Sequence, residues 1–165
     1  MSEAGKKPLI AVKDLKVAFQ NDGRITRAVK GVSFDIFAGE TLGLVGESGS
    51  GKSVSALSIL RLLPYPSAFH EGGEIVFDDT DLLALDEEKL CAIRGARISM
   101  IFQEPMSSLN PLHAIEKQIA EVVELHQGVR PEAARAEALR LEPYPRPYPD
   151  SIVGPLGSRT LFCIF

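Results

Sequence analysis

Gly46-Glu-Ser-Gly-Ser-Gly-Lys-Ser53 is the stretch of this sequence that decides its fold. A short apolar run, residues 41–45, leads into it, and residues 54–63, which contain no glycine or proline, lead out of it. All four defining positions of the pattern G-x-x-x-x-G-K-[ST] are met, in a strand–loop–helix context. The stretch therefore predicts a loop that binds the phosphates of a nucleoside triphosphate.

The spacing of this loop follows from the charge of its ligand. A triphosphate needs many N–H donors at once, and Gly46, Gly49 and Gly51 let the chain wrap around it and adopt positive φ. A helix beginning near Lys52 adds its free N–H groups and its positive dipole end. We expect the Lys52 ammonium to contact the β- and γ-phosphates and the Ser53 hydroxyl to ligate Mg²⁺. The alternative is a glycine-rich turn without a ligand, but a plain turn has no need of Gly-Lys-Ser.

Composition describes one soluble, globular domain. The 165 residues are 45% hydrophobic and 24% charged, and the net charge of −4 gives no support to nucleic-acid binding. The sequence contains no apolar run of about 18 residues and no N-terminal apolar core of signal-peptide length. Cysteines and histidines share no metal-ligand spacing: we expect reduced thiols and surface or boundary imidazoles at Cys91, Cys163, His70, His113 and His126.

Hydrophobic periodicity predicts the other elements. Strands are predicted at residues 9–19, 25–36, 41–45, 74–77 and 98–102. The first two flank an Asn-Asp-Gly turn and suit an antiparallel pair, whereas the continuously apolar 41–45 and 98–102 suit a buried parallel sheet.

Helices are predicted at four places. One follows the loop as far as residue 63, one runs from an Asp86 cap to Gly95, one begins near Pro111, and one spans residues 131–141. Residues 64–73 are predicted to be loop, and five prolines between 143 and 155 exclude a helix and most strands there.

Four blocks of this sequence resemble the ATP-binding subunits of ABC transporters, most closely those of oligopeptide, dipeptide and nickel importers. They are Leu15-Lys-Val-Ala-Phe19 with Arg27-Ala-Val-Lys-Gly-Val-Ser-Phe34, the stretch from Gly39 to Ser55, Gly73-Glu-Ile-Val-Phe77 with Asp81-Leu82, and Met100-Ile-Phe-Gln-Glu-Pro-Met-Ser-Ser-Leu-Asn-Pro111. The last block is the most diagnostic, because the phosphate loop occurs in many unrelated NTPases. The resemblance covers residues 8–141. It implies the N-terminal part of an α/β P-loop NTPase fold: an antiparallel β subdomain plus a partial parallel sheet with helices.

The resemblance also implies roles for single residues and the cofactors ATP and Mg²⁺. Phe19 matches an aromatic residue that stacks on adenine, with an ordinary core phenylalanine as the alternative. Gln103 matches a glutamine that approaches Mg²⁺ and the attacking water, with a surface glutamine on a turn as the alternative. Lys52 and Gln103 are the implied catalytic residues, and Ser53 and Gln103 the implied Mg²⁺ ligands. The implied nucleotide-binding residues are Phe19, Gly46, Glu47, Ser48, Gly49, Ser50, Gly51, Lys52, Ser53 and Val54.

Three parts of the family's ATPase site do not follow residue 141: the Leu-Ser-Gly-Gly-Gln signature, the Walker B strand ending in Asp-Glu, and a later histidine. Asp78 and Asp79 follow an apolar run, as Walker B carboxylates do, but they are predicted to be turn residues. We hypothesise that residues 142–165 are a non-homologous, proline-rich tail on a truncated or frameshifted coding sequence, with a proline-rich partner ligand as the alternative. Without later strands, residues 41–45 would lose a sheet neighbour, so marginal stability and weak ATP binding are expected.

By resemblance, the sequence predicts an ATP-binding subunit that couples ATP binding and hydrolysis to the import of peptides or similar small solutes. Its implied partners are integral-membrane permease subunits, facing residues 104–111, a second ATP-binding subunit and, indirectly, a solute-binding protein. Its implied place is the cytoplasmic face of a bacterial membrane. Two alternatives stay open: a non-catalytic remnant that binds nucleotide weakly or not at all, and a P-loop ATPase outside transport. Poor or no hydrolysis is expected from this chain alone.

Overall fold

A computed structural model describes residues 7–102 and 109–141 and the backbone of residues 161–164. In chain order its elements are β1 (Ile10–Asn21), β2 (Arg24–Ile36), α1 (Lys52–Ile59), β3 (Ala68–Phe77), β4 (Thr80–Asp81), α2 (Glu87–Ile93), β5 (Ile98–Ile101), α3 (Ile115–Gln127), α4 (Pro131–Leu141) and β6 (Leu161–Ile164). None of the helices in these ranges is long and apolar enough to cross a membrane.

An antiparallel sheet in the order β2–β1–β3–β4 dominates the first half of the chain. Asn21 of β1 pairs with Arg24 of β2, and the two residues between them, Asp22 and Gly23, have φ of 48° and 76°. Positive φ at both central residues is what a two-residue hairpin with the normal strand twist requires. The hairpin and the antiparallel subdomain are therefore confirmed.

The central strand β1 contains a bulge at Asp14, where φ is 44° and the register shifts against both neighbouring strands. Glycine stands on each side of it. A Cβ on Gly31 would lie 2.7 Å from the Asp14 carboxylate, and one on Gly73 would lie 2.6 Å from Leu15 Cα. The three strands can therefore pair through the bulge only because both flanking positions lack a side chain.

The main core lies between this sheet, α1 and the apolar residues that follow α1 and β4. Its fully buried side chains include Ile10, Leu15, Ile75, Phe77 and Leu82. A second, smaller cluster lies between α3 and α4, where Ala120, Val123, Ala134 and Ala138 pack together. The small side chains let the two helices approach closely, so the α3–α4 hairpin has a core of its own.

Residues 41–45 depart from the prediction of a buried strand: they form no strand in the described part of the chain. Val45 is 93% exposed, and Leu42 and Leu44 are 38% and 37% exposed. Their backbone groups make no hydrogen bond to any other described residue. The prediction is wrong here because a strand is defined by its neighbour, and neither β2 nor β5 pairs with this segment.

Two predicted boundaries also move. β3 begins at Ala68, opposite Phe19, so the second half of the predicted 64–73 loop belongs to a strand that pairs with β1 between Ile10 and Phe19. α1 ends at Ile59 instead of residue 63, and Arg61 has a φ of 50°, which is incompatible with a continuing helix.

The other elements follow the prediction more closely. The Asp86 carboxylate accepts a hydrogen bond of 2.9 Å from Lys89 N and caps α2, as expected, although α2 ends at Ile93. α4 has the predicted bounds, and α3 begins at Ile115, four residues after Pro111. β5 pairs in parallel with β6, a strand that the sequence did not predict.

Candidate functional site

The phosphate loop is anchored on β2 through Gly51. This residue is the N-cap of α1 and has φ 91° and ψ 5°. A Cβ at this position would lie 2.7 Å from Ala28 O and 3.1 Å from Val29 Cγ2. Only glycine combines this positive φ with so close an approach to a carbonyl oxygen, so the second glycine of the motif joins the loop to the antiparallel sheet.

The other two glycines of the loop, Gly46 and Gly49, are needed for different structural reasons. Gly49 has a φ of 81° and open space around its Cα, so it is required by backbone conformation alone. Gly46 does not have positive φ, but a Cβ there would lie 2.8 Å from Ser50 Oγ. Ser50 N in turn donates to Glu47 O at 3.2 Å and closes the turn. Two of the three glycines thus have positive φ, and the third permits close packing.

The Lys52 side chain folds over the loop. Its Nζ donates to Gly46 O at 2.8 Å and to Glu47 O at 2.7 Å, and it lies 3.3 Å from Ser50 Oγ. The ammonium is therefore held among the loop's own carbonyl groups, with the third donor position near a hydroxyl. A cation in this position is the natural counter-charge for an anion bound by the same loop.

Backbone donors at the start of α1 lack acceptors. The first helical bond is from Ser55 N to Gly51 O, at 2.8 Å. Among the described residues, no carbonyl or side chain accepts from the N–H groups of residues 51–54, and Ser53 is exposed. Free N–H groups, a helix dipole, a cation and an accessible hydroxyl form a donor set suited to a polyanion that carries a divalent metal.

Phe19 lies on β1, opposite Thr26 of β2 and Ala68 of β3. Two residues beyond Thr26, Ala28 supports Gly51, so Phe19 stands on the strand next to the one that anchors the loop. Its ring is half-buried and packs against the main core. This placement suits an aromatic residue with one face in the core and one left for a ligand, and it also suits the core alternative.

Gln103 lies outside the described residues, and so do residues 104–108 of the predicted permease-facing segment. β5, which precedes Gln103, is present over Ile98–Ile101. The acidic pair Asp78 and Asp79 forms the turn between β3 and β4, with φ of 48° and 68°. Asp78 also accepts a hydrogen bond of 3.0 Å from Arg97. The prediction that these carboxylates are turn residues is confirmed.

A groove beside α3 was not predicted. It has a volume of about 860 Å³, and its lining includes Leu109, Ile115, Ile119, Val122 and Leu141. The sequence signal that could have indicated it is the apolar face of α3, on which Ile115, Ile119 and Val122 lie. In the structure Ile115 and Val122 are 52% and 55% exposed, so this face is only partly covered. An apolar groove of this kind is typical of an interaction site.

Two ionisable groups of the protein interior have shifted pKa values: Tyr65, in the connection between α1 and β3, and His70, on β3. Burial, together with the charge of Arg61, lowers the pKa of His70, and burial raises the pKa of Tyr65. The Tyr65 hydroxyl is 3.4 Å from His70 Nδ1, while His70 Nε2 is buried without a hydrogen-bond partner. In the ranges that the structure describes, no three His, Cys, Asp or Glu side chains come together as a metal cluster.

Comparison with known proteins places the loop in a family context. Residues 29–145 match the protein-family model described as ABC transporter. A peptidoglycan transport ATP-binding protein, YejF, from Agrobacterium fabrum is 57% identical over 141 residues, which are 86% of this chain and 26% of that protein. The oligopeptide transport ATP-binding protein OppD from Bacillus subtilis is 46% identical over 133 residues, 81% of this chain and 37% of that protein. The chain thus spans between about a quarter and two fifths of the length of these relatives.

Solved structures agree with the fold. The dimeric ATP-binding cassette MJ0796, in a post-hydrolysis state bound to ADP and Pi, has a TM-score of 0.67 and 26% sequence identity. The similarity covers 79% of this chain and 54% of that one. The described elements therefore correspond to about half of a complete cassette.

Proposed function

The chain belongs to the ABC transporter family of ATP-binding proteins, and from this premise we propose that it binds Mg²⁺–ATP through residues 46–54 as the nucleotide-binding part of a peptide importer. The observation that carries the proposal is the loop on β2 and α1, with the Lys52 ammonium above it and free N–H groups at residues 51–54. The residues present fit the ligand, because free N–H groups at a helix N-terminus and a lysine ammonium suit a polyanion, and the exposed Ser53 hydroxyl suits a hard metal ion.

Each residue of the loop has a proposed role. The N–H groups of residues 47–54 other than Ser50 would bind the phosphates, and the Lys52 ammonium, which the loop carbonyl groups hold in this structure, would contact the β- and γ-phosphate oxygens. The Ser53 hydroxyl would ligate Mg²⁺, which would neutralise charge on those phosphates. Phe19 stacks on the adenine, a contact worth about 1–3 kcal/mol in comparable cases. Gln103 is proposed as the second Mg²⁺ contact, after β5.

The groove beside α3 supports the proposed partner. Its apolar lining, which includes Leu109, is suited to an apolar segment of an integral-membrane permease, and docking there would hold the chain at the cytoplasmic face of the membrane. A second ATP-binding subunit is proposed by analogy with the dimeric cassette. The relatives are named for the transport of peptidoglycan, oligopeptides, dipeptides and glutathione, so a peptide-like solute is the proposed cargo.

A second candidate, binding without hydrolysis, is favoured by residues 41–45. This segment leads directly into the loop, yet it is exposed and makes no hydrogen bond to another described residue. The sequence also contains no Leu-Ser-Gly-Gly-Gln run to close over the γ-phosphate, and its apolar run followed by Asp-Glu, residues 82–87, is a turn that leads into the Asp86 cap of α2 and not a strand. We propose that the chain alone binds ATP and hydrolyses it poorly.

Titration calorimetry with Mg²⁺–ATP tests the binding proposal. Lys52→Ala removes a charge-assisted contact of about 1.5–3 kcal/mol and should weaken binding by about 10–150-fold. Lys30→Ala, on exposed β2, is the matched control and should leave affinity unchanged. Ser53→Ala should weaken binding only when Mg²⁺ is present, whereas the effect of Lys52→Ala should persist in EDTA. Two results would overturn the proposal. One is equal affinity of the parent and Lys52→Ala for Mg²⁺–ATP, and the other is no binding by a parent chain whose circular dichroism spectrum shows that it is folded.

A further inference from the structure

The carbonyl group of Gly51 accepts two hydrogen bonds from one residue, Ser55. Ser55 N donates to Gly51 O at 2.8 Å as the first helical bond of α1, and Ser55 Oγ donates to the same oxygen at 2.9 Å. Ser55 is buried, so little water can compete for the bond from its hydroxyl. A carbonyl oxygen has two lone pairs, and here one residue occupies both of them. The last glycine of the phosphate loop is therefore tied twice to α1.

The bond from the hydroxyl restrains a residue that cannot restrain itself. Residue 51 must be glycine, because a Cβ there would lie 2.7 Å from Ala28 O. Glycine has more backbone freedom than any other residue, and the ψ angle of Gly51 sets the direction of the peptide group between Gly51 and Lys52. No side chain at residue 51 can hold that peptide group in place. The Ser55 hydroxyl supplies the restraint from four residues further along the chain.

The restrained peptide group carries one of the free donors of the phosphate site. A trans peptide is planar, so its C=O and N–H groups point in opposite directions. Because Gly51 O is directed along α1 to Ser55, Lys52 N–H is directed away from the helix, toward the loop. No described residue accepts a hydrogen bond from Lys52 N. We propose that Ser55 is a positioning residue, whose hydroxyl holds this peptide group so that Lys52 N–H faces a bound phosphate. The inference rests on the proposed function and adds a residue outside the loop to the site.

Ser58 provides a matched control on the same helix. It is buried, and its hydroxyl donates to Val54 O at 2.7 Å, the same bond to the carbonyl four residues earlier. The peptide group of Val54 O has Ser55 N as its donor, and Ser55 N is already bonded to Gly51 O. Loss of the Ser58 hydroxyl therefore frees no group that faces the ligand. Since alanine is a better helix former than serine, both Ser55→Ala and Ser58→Ala should melt close to the parent.

Titration calorimetry with Mg²⁺–ATP on the full 165-residue chain tests the inference. Ser55→Ala should weaken binding by about 3–10-fold, the effect of one neutral hydrogen bond, whereas Ser58→Ala should leave the affinity unchanged. Ser55→Thr should bind as the parent does, because a threonine hydroxyl in a helix can bond to the carbonyl four residues earlier. At saturating Mg²⁺–ATP, the Lys52 amide should also be less protected from hydrogen exchange in Ser55→Ala than in Ser58→Ala.

The outcomes separate this inference from the proposed function. Parent-like affinity and Lys52 protection in Ser55→Ala, in a chain whose binding Lys52→Ala does weaken, would overturn the inference and leave the proposed function standing. Equal weakening by the two alanine variants would also overturn it, because both hydroxyl groups would then act through the helix as a whole. Absence of Mg²⁺–ATP binding by the folded parent would overturn the proposed function and this inference together.

Discussion

Gly51→Ala is the sharpest test of how the phosphate loop is built. The substitution places a methyl group at a φ of 91°, which costs an L-residue about 1–2 kcal/mol. The same methyl group would lie 2.7 Å from Ala28 O and 3.1 Å from Val29 Cγ2, and relief of such overpacking costs about 1–3 kcal/mol more. The expected total is about 2–5 kcal/mol, a large fraction of the stability of a domain of this size.

Gly49→Ala is the matched control for this variant. Gly49 has a similar φ, 81°, but nothing lies within 4 Å of its added Cβ, so it reports the conformational cost alone. In thermal unfolding followed by circular dichroism, Gly51→Ala should melt lower than Gly49→Ala by about 2–4 °C for each kcal/mol of the packing cost. Gly51→Ala should also weaken ATP binding more than Gly49→Ala does. Equal melting temperatures for the two variants would refute the idea that Gly51 anchors the loop on β2.

Two further outcomes are expected. In urea unfolding, Gly73→Ala should destabilise the protein by about 1–3 kcal/mol more than Gly23→Ala. The reason is that a Cβ on residue 73 would lie 2.6 Å from the main chain of β1, whereas a Cβ on residue 23 would have open space. Equal losses of unfolding free energy in the two variants would show that the bulge adapts. Burial and the charge of Arg61 lower the pKa of His70 below its usual value of 6.5. Because the unfolded chain then binds the proton more readily than the folded chain, the His70 contribution to the free energy of unfolding should be complete above pH 6.5. It should be lost as the pH falls from 6.5 toward the pKa of His70 in the folded state. His70→Gln should flatten this dependence and His113→Gln, at an exposed site, should not; the reverse pattern would contradict the assignment.

The sequence predicts those parts of the fold that are determined by interactions between residues close together in the chain. Asp22 and Gly23 define the first hairpin because few other residue pairs accept positive φ at both positions. Asp86 predicts the start of α2 because its side chain bonds to an N–H three residues away. The phosphate loop belongs to the same class, since its glycines and Lys52 interact within seven residues of one another.

The parts that sequence misses depend on a distant partner. Ala68 begins β3 because Phe19 stands opposite it, 49 positions earlier in the chain, and nothing in the composition of residues 64–73 indicates that pairing. β6 is a strand through its pairing with β5, more than 60 positions away. For residues 41–45 the error is the opposite one, because a strand was predicted and none is found. Their composition is that of a buried strand, but a strand also needs a neighbouring strand to pair with, which composition does not show.

The candidate site itself contains one part that is stabilised by nearby residues and one part that is not. The phosphate-binding loop is supported by Gly51 on β2 and by the Lys52 contacts, all within the antiparallel subdomain that the chain contains. The segment that leads into the loop, residues 41–45, has no such support from the described residues. We therefore expect phosphate binding and hydrolysis to depend on different parts of the fold. Nucleotide at 100 times its Kd would stabilise the loop-bearing state by about 2.7 kcal/mol, yet it would contribute no backbone partner to residues 41–45. We therefore expect nucleotide binding to be possible while residues 41–45 are unpaired, and hydrolysis to require that they be paired.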